Sequence, residues 1–157
     1  MPVQNVAVIS IRRDADRPLG LDVKDILAAL GPRLDGWLWC VKGLDWLGGD
    51  AAEALCRKVD AARPGGVWLA SAELRRFAQD VYQTIDGEFY AFPRATDIRA
   101  VDPHELHPAA FPSSAAELAI LAVDGSYFDV LAKDPQNQEP LRHLPGVRDE
   151  DPGKYFI

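Results

Sequence analysis

The chain has 157 residues, of which 48% are hydrophobic and 26% are charged, and its formal net charge at pH 7 is −7. This length suits one domain of ordinary size, and the composition is that of a globular protein, not of a disordered or collagen-like chain. No run of about 18 apolar residues is long enough to span a membrane. The short apolar run near the start lacks the basic region of a signal peptide. We therefore expect a single cytoplasmic domain over residues 1–157.

Acidic side chains are concentrated in residues 97–157. This part carries 11 acidic and 5 basic residues, a net charge of −6, whereas residues 1–96 have a net charge of −1. A surface of that sign repels phosphate backbones and attracts basic proteins. The two cysteines, Cys40 and Cys56, are too few for a disulfide framework or a four-cysteine zinc site. We predict that both stay reduced and that no nucleic acid is a partner.

The first third of the chain predicts strands and helices in alternation. Residues 5–11 are apolar on both faces, as in a strand inside a layered fold. Asp22 is the predicted N-cap of a first helix, whose apolar residues recur at helical spacing until Gly31 ends it. Residues 37–44 form a second strand that is apolar on both faces.

Two further helices are predicted in the middle of the chain. The second begins at Asp50, where Asp50 and Glu53 resemble a capping box, and it ends before Pro64. Val67–Ala70 is a short strand. A third helix, capped by Ser71, is the most regular amphipathic segment and extends to residue 85. Its apolar face consists of Leu74, Phe77, Ala78, Val81, Tyr82 and Ile85.

Turn signals end the third helix and dominate the second half of the chain. Asp86 and Gly87 supply a helix end, and residues 88–92 form a strand. The proline-rich residues 96–114 are predicted to form a loop. Residues 135–157 are an acidic, proline-rich C-terminal tail, which we expect to pack on the surface. The apolar residues available for that packing are Leu141, Leu144 and Phe156.

The order of these elements predicts the fold class. Early alternation of strands and helices favours a layered α/β arrangement, whereas the later tight turns favour antiparallel pairing. We predict an α/β fold of mixed α+β character. It consists of one layered domain with a mixed sheet, about three helices and a C-terminal β-hairpin.

The hairpin sequence LAILAVDGSYFDVLAKD carries three aspartates. Asp124 and Gly125 are a strong signal for a type I′ turn, because both central residues of that turn take positive φ. Asp134 ends the second strand roughly 30 Å from Asp124, at ~3.3 Å per residue, so the two carboxylates cannot share an ion. Asp129, on the strand face shared with Tyr127, remains the candidate functional carboxylate.

Other polar motifs favour structural roles. His104, Glu105 and His107 lack the His-Glu-x-x-His spacing of zinc-binding helices and are flanked by prolines. The glycines before Asp50 lack the spacing of a phosphate-binding loop, and the carboxylate stands where a phosphate would bind. No serine lies in a Gly-x-Ser-x-Gly elbow. We predict no metal, no cofactor and no catalytic residue.

Tryptophans supply candidate binding residues around two of the strands. Trp37 and Trp39 share one strand face and belong either to the core or to a recognition surface, because tryptophan is enriched at binding hot spots. Trp46, beside Asp45 and a glycine turn, is the tryptophan that we expect at the surface. The residues predicted to contact a partner are Asp45, Trp46, Tyr127, Asp129 and Asp134.

Two segments carry a family resemblance. AQDVYQTIDGEFYAF runs from Ala78 to Phe92, and the hairpin sequence runs from Leu118 to Asp134. Together they resemble a pattern found in small bacterial uncharacterised domains, some of which are encoded as immunity proteins beside toxins. This chain has Gly125-Ser126 where that pattern has two serines, and no functional residue carries over. The resemblance implies a cytoplasmic binding protein without catalysis.

One leading hypothesis and two alternatives follow. The leading hypothesis is a small acidic protein-binding module that covers a basic surface, as an immunity or antitoxin protein does. The first alternative is a small-molecule-binding or hydrolytic α/β enzyme with an acidic cleft around Asp129, Tyr127 and a loop histidine. The second is an oligomeric structural protein, such as a homodimer that pairs through strand edges. No membrane is expected as a partner.

Overall fold

A computed structural model describes residues 5–12 and 21–156. Its seven strands form one antiparallel sheet in the order β3-β2-β4-β5-β6-β1-β7. The strands are β1 (Ala7–Arg12), β2 (Leu38–Gly48), β3 (Val67–Ala70), β4 (Val81–Phe92), β5 (Leu118–Val123), β6 (Tyr127–Ala132) and β7 (Val147–Glu150). The α-helices of the same residues are α1 (Val23–Leu30), α2 (Asp50–Ala62) and α3 (Ser71–Gln79). The predicted combination of helices and a sheet in one layered unit is confirmed.

The prediction of a mixed sheet is wrong, because every pairing in the described strands is antiparallel. β3 follows α2 and β4 follows α3, yet both run antiparallel to β2 and lie on its two sides. α1 joins β1 to β2, which are not neighbours. Alternation of strands and helices indicates a parallel sheet only when a helix crosses over to a strand of the same direction.

The three helices cover one face of the sheet. Their inner side chains and the facing strand residues form one buried cluster, as the helical spacing of apolar residues predicts. The helix residues in it are Val23, Ile26, Leu27, Leu30, Ala52, Leu55, Val59, Leu74 and Ala78.

No α-helix of the described residues covers the opposite face, called here the second face. Residues 97–116, which form short 3-10 turns, and residues 151–156 pack there on a second buried cluster. The buried Lys42 crosses from β2 to the first of these segments. Its ammonium donates to the carbonyl oxygens of Pro103 and Leu106, both at 2.6 Å. This side chain therefore fastens the loop to the sheet.

The third helix is shorter than predicted. α3 ends at Gln79, and residues 81–92 form a single long strand that pairs along the whole length of β2. Register shifts interrupt this pairing, and within residues 81–87 the buried positions are Val81, Thr84 and Gly87, three residues apart. A bulged strand lacks the regular alternation of apolar and polar residues, so Val81, Tyr82 and Ile85 fitted a helix face, although only Val81 of the three is buried. The β-branched residues of this segment favour the strand.

The cap predicted for the second helix is also wrong. Gly49 precedes α2 and offers no side chain, and Asp50 is the first helical residue. The carboxylate of Asp80 accepts instead from the backbone N of Ala52, at 3.0 Å. A residue remote in sequence thus satisfies an N–H group that the predicted Asp50–Glu53 box was expected to serve.

Ser71 does not cap α3, because the N-cap position is Ala70. The Ser71 hydroxyl is buried and donates to the Leu34 carbonyl oxygen at 2.8 Å. It also accepts from the indole Nε1 of Trp39 at 3.0 Å. The residue therefore joins α3 to β2.

The hairpin has the predicted turn. Asp124 and Gly125 have φ values of 51° and 67°, and the backbone N of Ser126 donates to the Val123 carbonyl oxygen at 2.9 Å. The predicted tail is more regular than expected, because residues 147–150 form β7, which pairs with β1. Leu141, Leu144 and Phe156 pack on the two clusters, as predicted.

Asp22 caps α1, as predicted, and also ties that helix to β4. Its carboxylate accepts from the backbone N of Val23 and of Thr84, both at 2.8 Å, and from the Thr84 hydroxyl. We expect Asp22→Ala to lower the free energy of unfolding by about 2 kcal/mol, because buried donors lose their acceptor. Urea denaturation measures this loss. Asp25→Ala, which removes one acceptor of the Asp22 backbone N, is the control, and equal losses in the two variants would contradict the assignment.

Candidate functional site

One row of side chains crosses the second face at the same level on six strands. In the register of the sheet its members, from β2 to β7, are Lys42, Glu88, Leu121, Asp129, Ser10 and Arg148. Only Leu121 is apolar. This polar row borders the apolar second cluster.

Asp129 lies completely buried within the row. Its Oδ2 atom accepts from the Lys154 ammonium at 2.7 Å and from the Tyr155 hydroxyl. The same ammonium lies 4.3 Å from the ring centroid of Tyr127. Asp129 Oδ1 and Ser10 Oγ, also fully buried, have no hydrogen-bond partner within the described residues. One oxygen of this carboxylate, Oδ2, thus accepts hydrogen bonds, and the other, Oδ1, does not.

The protonation states of the two donors follow from their surroundings. Burial lowers the pKa of the Lys154 ammonium, whereas the hydrogen bonds to Asp129 and Tyr127 raise it. Together the hydrogen bonds outweigh burial, so the pKa of Lys154 is raised above its ordinary value. Burial is the main cause that raises the pKa of Tyr155, and the hydrogen bond to Asp129 adds to the rise. At neutral pH the cluster therefore holds a charged ammonium and a neutral phenol.

Charged side chains surround this cluster and neutralise one another. The guanidinium of Arg12 lies 4.8 Å from the ring centroid of Tyr127 and 3.8 Å from the Glu150 carboxylate. Arg148 pairs with the same carboxylate at 3.0 Å. Part of the acidity of residues 97–157 is thus compensated locally.

The predicted partner-contacting residues do not form one site. Asp129 is buried and Tyr127, which is half-buried, lies beside it, whereas Asp45 is exposed on β2. Asp134 is exposed, and its carboxylate accepts from the backbone N of Gln136 at 2.9 Å, which caps a 3-10 turn.

The prediction that Trp46 lies at the surface is wrong. Its side chain is 3% exposed, and its Nε1 donates to the Ala52 carbonyl oxygen at 2.7 Å. Gly43, at φ 55°, coincides with a register shift in β2. This bulge turns Leu44 and Trp46 toward the helices, because it reverses the strand parity that the residues before it follow.

The exposed ends of β2 and β4 carry a surface that we call the hairpin-end patch, made of Asp45, Leu47, Tyr82, Asp86 and Asp124. Leu47 is 51% exposed and Tyr82 is 71% exposed, and they are the exposed large hydrophobic residues of the described chain. Leu47 pairs with the residue next to Tyr82. Asp45 faces Asp86 across the strands, and the backbone N of Asp124 donates to the Asp86 carboxylate at 2.9 Å.

Sequence reasoning missed Ser10, Lys154 and Tyr155. Ser10 had a signal, because it is the single polar residue between Val6 and Ile11 in a strand otherwise apolar on both faces. Lys154 and Tyr155 had none, because they follow a proline-rich stretch without periodicity. Their contact with Asp129 depends on long-range packing.

A separate pocket of about 240 Å³ lies among the turns of residues 97–116 and contains none of the five predicted partner-contacting residues. Its lining comprises Ala100, Val101, Asp102, Glu105, Leu106, Ala110, Ser113, Ser114 and Ala115. No three His, Cys, Asp or Glu side chains of the described residues are grouped closely enough to hold a metal ion. None of the helices in residues 5–12 and 21–156 has the length and apolar character needed to cross a membrane.

Comparisons with protein-family models, with curated proteins and with solved structures find no match to this chain. The function must therefore be inferred from the chemistry of these surfaces.

Proposed function

We propose that this chain is a small acidic protein-binding module of the cytoplasm that docks on a basic protein surface through the hairpin-end patch. An immunity or antitoxin protein that neutralises a partner acts in this manner. The observation that carries the proposal is the exposure of Leu47 and Tyr82 beside three carboxylates.

The charges of the patch support a basic partner. Like charges directly opposite each other on neighbouring strands are destabilising, and Asp45 faces Asp86 in this way. The ion pairs of the described residues include neither of these carboxylates, nor Asp124. Lysine and arginine side chains of a partner would relieve this repulsion.

The apolar residues of the patch supply the other half of an interface. Exposed large apolar side chains rimmed by polar ones are typical of docking surfaces, and tyrosine is enriched at hot spots.

A second copy of the chain is a poor occupant of the patch, because it would bring the same three carboxylates against one another. Of the two edge strands, β7 carries Arg148, Asp149 and Glu150, and charged edges oppose pairing between sheets, whereas β3 carries no charge.

The enzyme alternative has no observation to favour it. Asp129 is enclosed, and its hydrogen-bond donors in the described chain are Lys154 and Tyr155, without a histidine. The enzyme alternative therefore stays a prediction.

We expect the double variant Leu47→Ala/Tyr82→Ala to weaken partner binding by roughly 30-fold or more, since hot-spot truncations cost about 2 kcal/mol or more. The partner to test first is the product of the gene adjacent to this one. Affinity is measured by calorimetry with purified proteins. Because both residues are exposed, the free energy of unfolding is expected to change by no more than about 0.5 kcal/mol per site.

The charge contribution is tested separately with Asp45→Asn/Asp86→Asn. This variant is expected to bind more slowly and with a weaker dependence on salt, because steering by the carboxylates is lost. Asp134→Asn, an exposed carboxylate outside the patch, is the matched control. Binding that ignores both double variants, or that is insensitive to salt, would overturn the proposal.

A further inference from the structure

Two of the three buried side-chain polar atoms that have no hydrogen-bond partner in the described chain lie on the adjacent strands β1 and β6; the third is Gln138 Oε1. Ser10 and Asp129 are directly paired in the antiparallel register, and both are fully buried. The Ser10 hydroxyl and Asp129 Oδ1 have no partner in the part of the chain that the structure describes. Buried polar atoms without partners are costly, so a fold retains them rarely.

We infer that Asp129 and Ser10 form a binding site for a guanidinium group, and that the ammonium of Lys154 fills this site incompletely in the unbound protein. An ammonium places its donors around one point, and Lys154 reaches only Oδ2 of Asp129. A guanidinium presents a planar fork of N–H donors that pairs with both oxygens of a carboxylate. Its remaining N–H groups would reach Ser10 Oγ.

The aromatic wall of the site suits the same ligand. The Tyr127 ring already contacts two cations, Arg12 at 4.8 Å and Lys154 at 4.3 Å from its centroid. A guanidinium stacks on an aromatic ring while keeping its in-plane donors free for a carboxylate. Replacement of Lys154 by an arginine side chain also leaves the charge of the cluster unchanged.

The segment that carries Lys154 is joined to the sheet by side chains, not by backbone hydrogen bonds. The backbone hydrogen bonds described for residues 152–156 stay within this segment and its neighbour Asp151. Residues 151–154 are exposed, and the Lys154 side chain is 31% exposed. The polar attachment of the segment to the sheet thus consists of the contacts of Lys154 with Asp129 and Tyr127 and of Tyr155 with Asp129, beside the packing of Tyr155 and Phe156 on the second cluster. An incoming group that replaced both donors could displace it.

The source of the guanidinium is an arginine of the basic partner, and only this point rests on the proposed function. Tyr127 follows the Asp124-Gly125 turn by two residues, and that turn contacts Asp86 of the hairpin-end patch. A protein seated on the patch would therefore have its rim near the Asp129 site.

The test uses the full chain, labelled with ¹⁵N, and two probes, N-acetylarginine amide and N-acetyllysine amide. Titrations are followed by NMR in the wild type and in Lys154→Ala. We expect Lys154→Ala to bind the arginine probe roughly tenfold more tightly than the wild type does, and more tightly than it binds the lysine probe, because the fork pairs with both oxygens. The shifts should centre on Ser10, Tyr127 and Asp129. Lys58→Ala, at an exposed lysine of α2, should behave like the wild type.

Two further variants keep the test decisive. Lys154→Gln replaces Lys154→Ala if the latter does not fold, and adding Asp129→Asn should abolish the preference for arginine. Lys154→Arg should fill the site internally, raise Tm by about 2–4 °C and exclude the probe. Equal binding of the two probes, no binding to a folded Lys154 variant, or a lower Tm for Lys154→Arg would overturn the inference. Because no partner protein is used, these results are independent of the proposed docking function.

Discussion

Replacing Lys154 with methionine is expected to lower the free energy of unfolding by about 3 kcal/mol, because it leaves a buried carboxylate without its cation. Methionine keeps much of the length and apolar surface of the lysine stem. The Tyr155 hydroxyl would be the remaining donor to Asp129 among the described residues. Chemical denaturation at neutral pH measures the loss.

Replacing the other member of the pair, Asp129, is expected to lower the free energy of unfolding by less. Asp129→Asn leaves Lys154 without its carboxylate, but this side chain is 31% exposed and can turn into water. We expect a loss of about 1 kcal/mol, the value of one ordinary hydrogen bond. This asymmetry follows from burial, since the anion is fully enclosed and the cation is not.

The double variant Lys154→Met/Asp129→Asn separates a true ion pair from two independent packing effects. If the pair is coupled, the double variant is more stable than Lys154→Met alone, because the uncompensated charge has been removed. Additive losses would show that the two residues act independently. Arg99→Met, at an exposed arginine paired with Asp97 at the surface, is the control and should change stability by no more than about 0.5 kcal/mol.

The elements that were predicted from sequence are those whose signal is local. α1 with its Asp22 cap, the Asp124-Gly125 turn and the apolar strands depend on residues adjacent in the chain. Capping, turn geometry and alternation are physical effects of a few neighbouring residues, so the sequence displays them directly.

The elements that were predicted wrongly depend on bulges. The shift near Gly43 moves Trp46 into the core, and the shifts opposite residues 81–86 remove the regular alternation that would have marked this segment as a strand. A bulge changes which face a side chain occupies for every residue that follows it. Its position is fixed by the partner strand, so a single segment read alone does not reveal it.

The candidate site was predicted only in part for a related reason. Asp129 stood out because it interrupts an apolar strand, whereas its partners Lys154 and Tyr155 lie 25 and 26 residues away in a segment without pattern. The hairpin-end patch was equally hidden, because Tyr82 was assigned to the buried face of a helix. Long-range pairing, not local propensity, decides both surfaces.

The protein is expected to lose stability steeply as pH rises above about 9, because several buried acids hold their protons more tightly in the folded chain. Burial raises the pKa of the Cys40 thiol from 9.0 to about 12. Burial and then the neighbouring Glu88 carboxylate raise the pKa of Tyr90, and burial and then Asp129 raise that of Tyr155. Below pH 9 these groups are protonated in both states, so their effect on the pH dependence is absent there.

The sign follows from the raised values. Above pH 9 the unfolded chain releases the Cys40 proton while the folded chain keeps it, so each rise in pH favours unfolding until the folded pKa is passed. For Cys40 alone, a rise of the pKa from 9.0 to about 12 corresponds to about 4 kcal/mol of stability lost between pH 9 and 12. The tyrosines add losses of the same sign that begin near pH 10, their ordinary value.

Urea denaturation at intervals from pH 8 to 11, with the ultraviolet absorbance of thiolate and phenolate recorded in parallel, tests this expectation. We expect thiolate and much of the phenolate signal to develop together with unfolding. Cys40→Ala should weaken the pH dependence, whereas Cys56→Ala should weaken it less, because Cys56 is only partly buried. A wild-type protein whose stability is the same at pH 8 and 11 would show that Cys40, Tyr90 and Tyr155 are accessible to water, and the closed second face would then have to open readily.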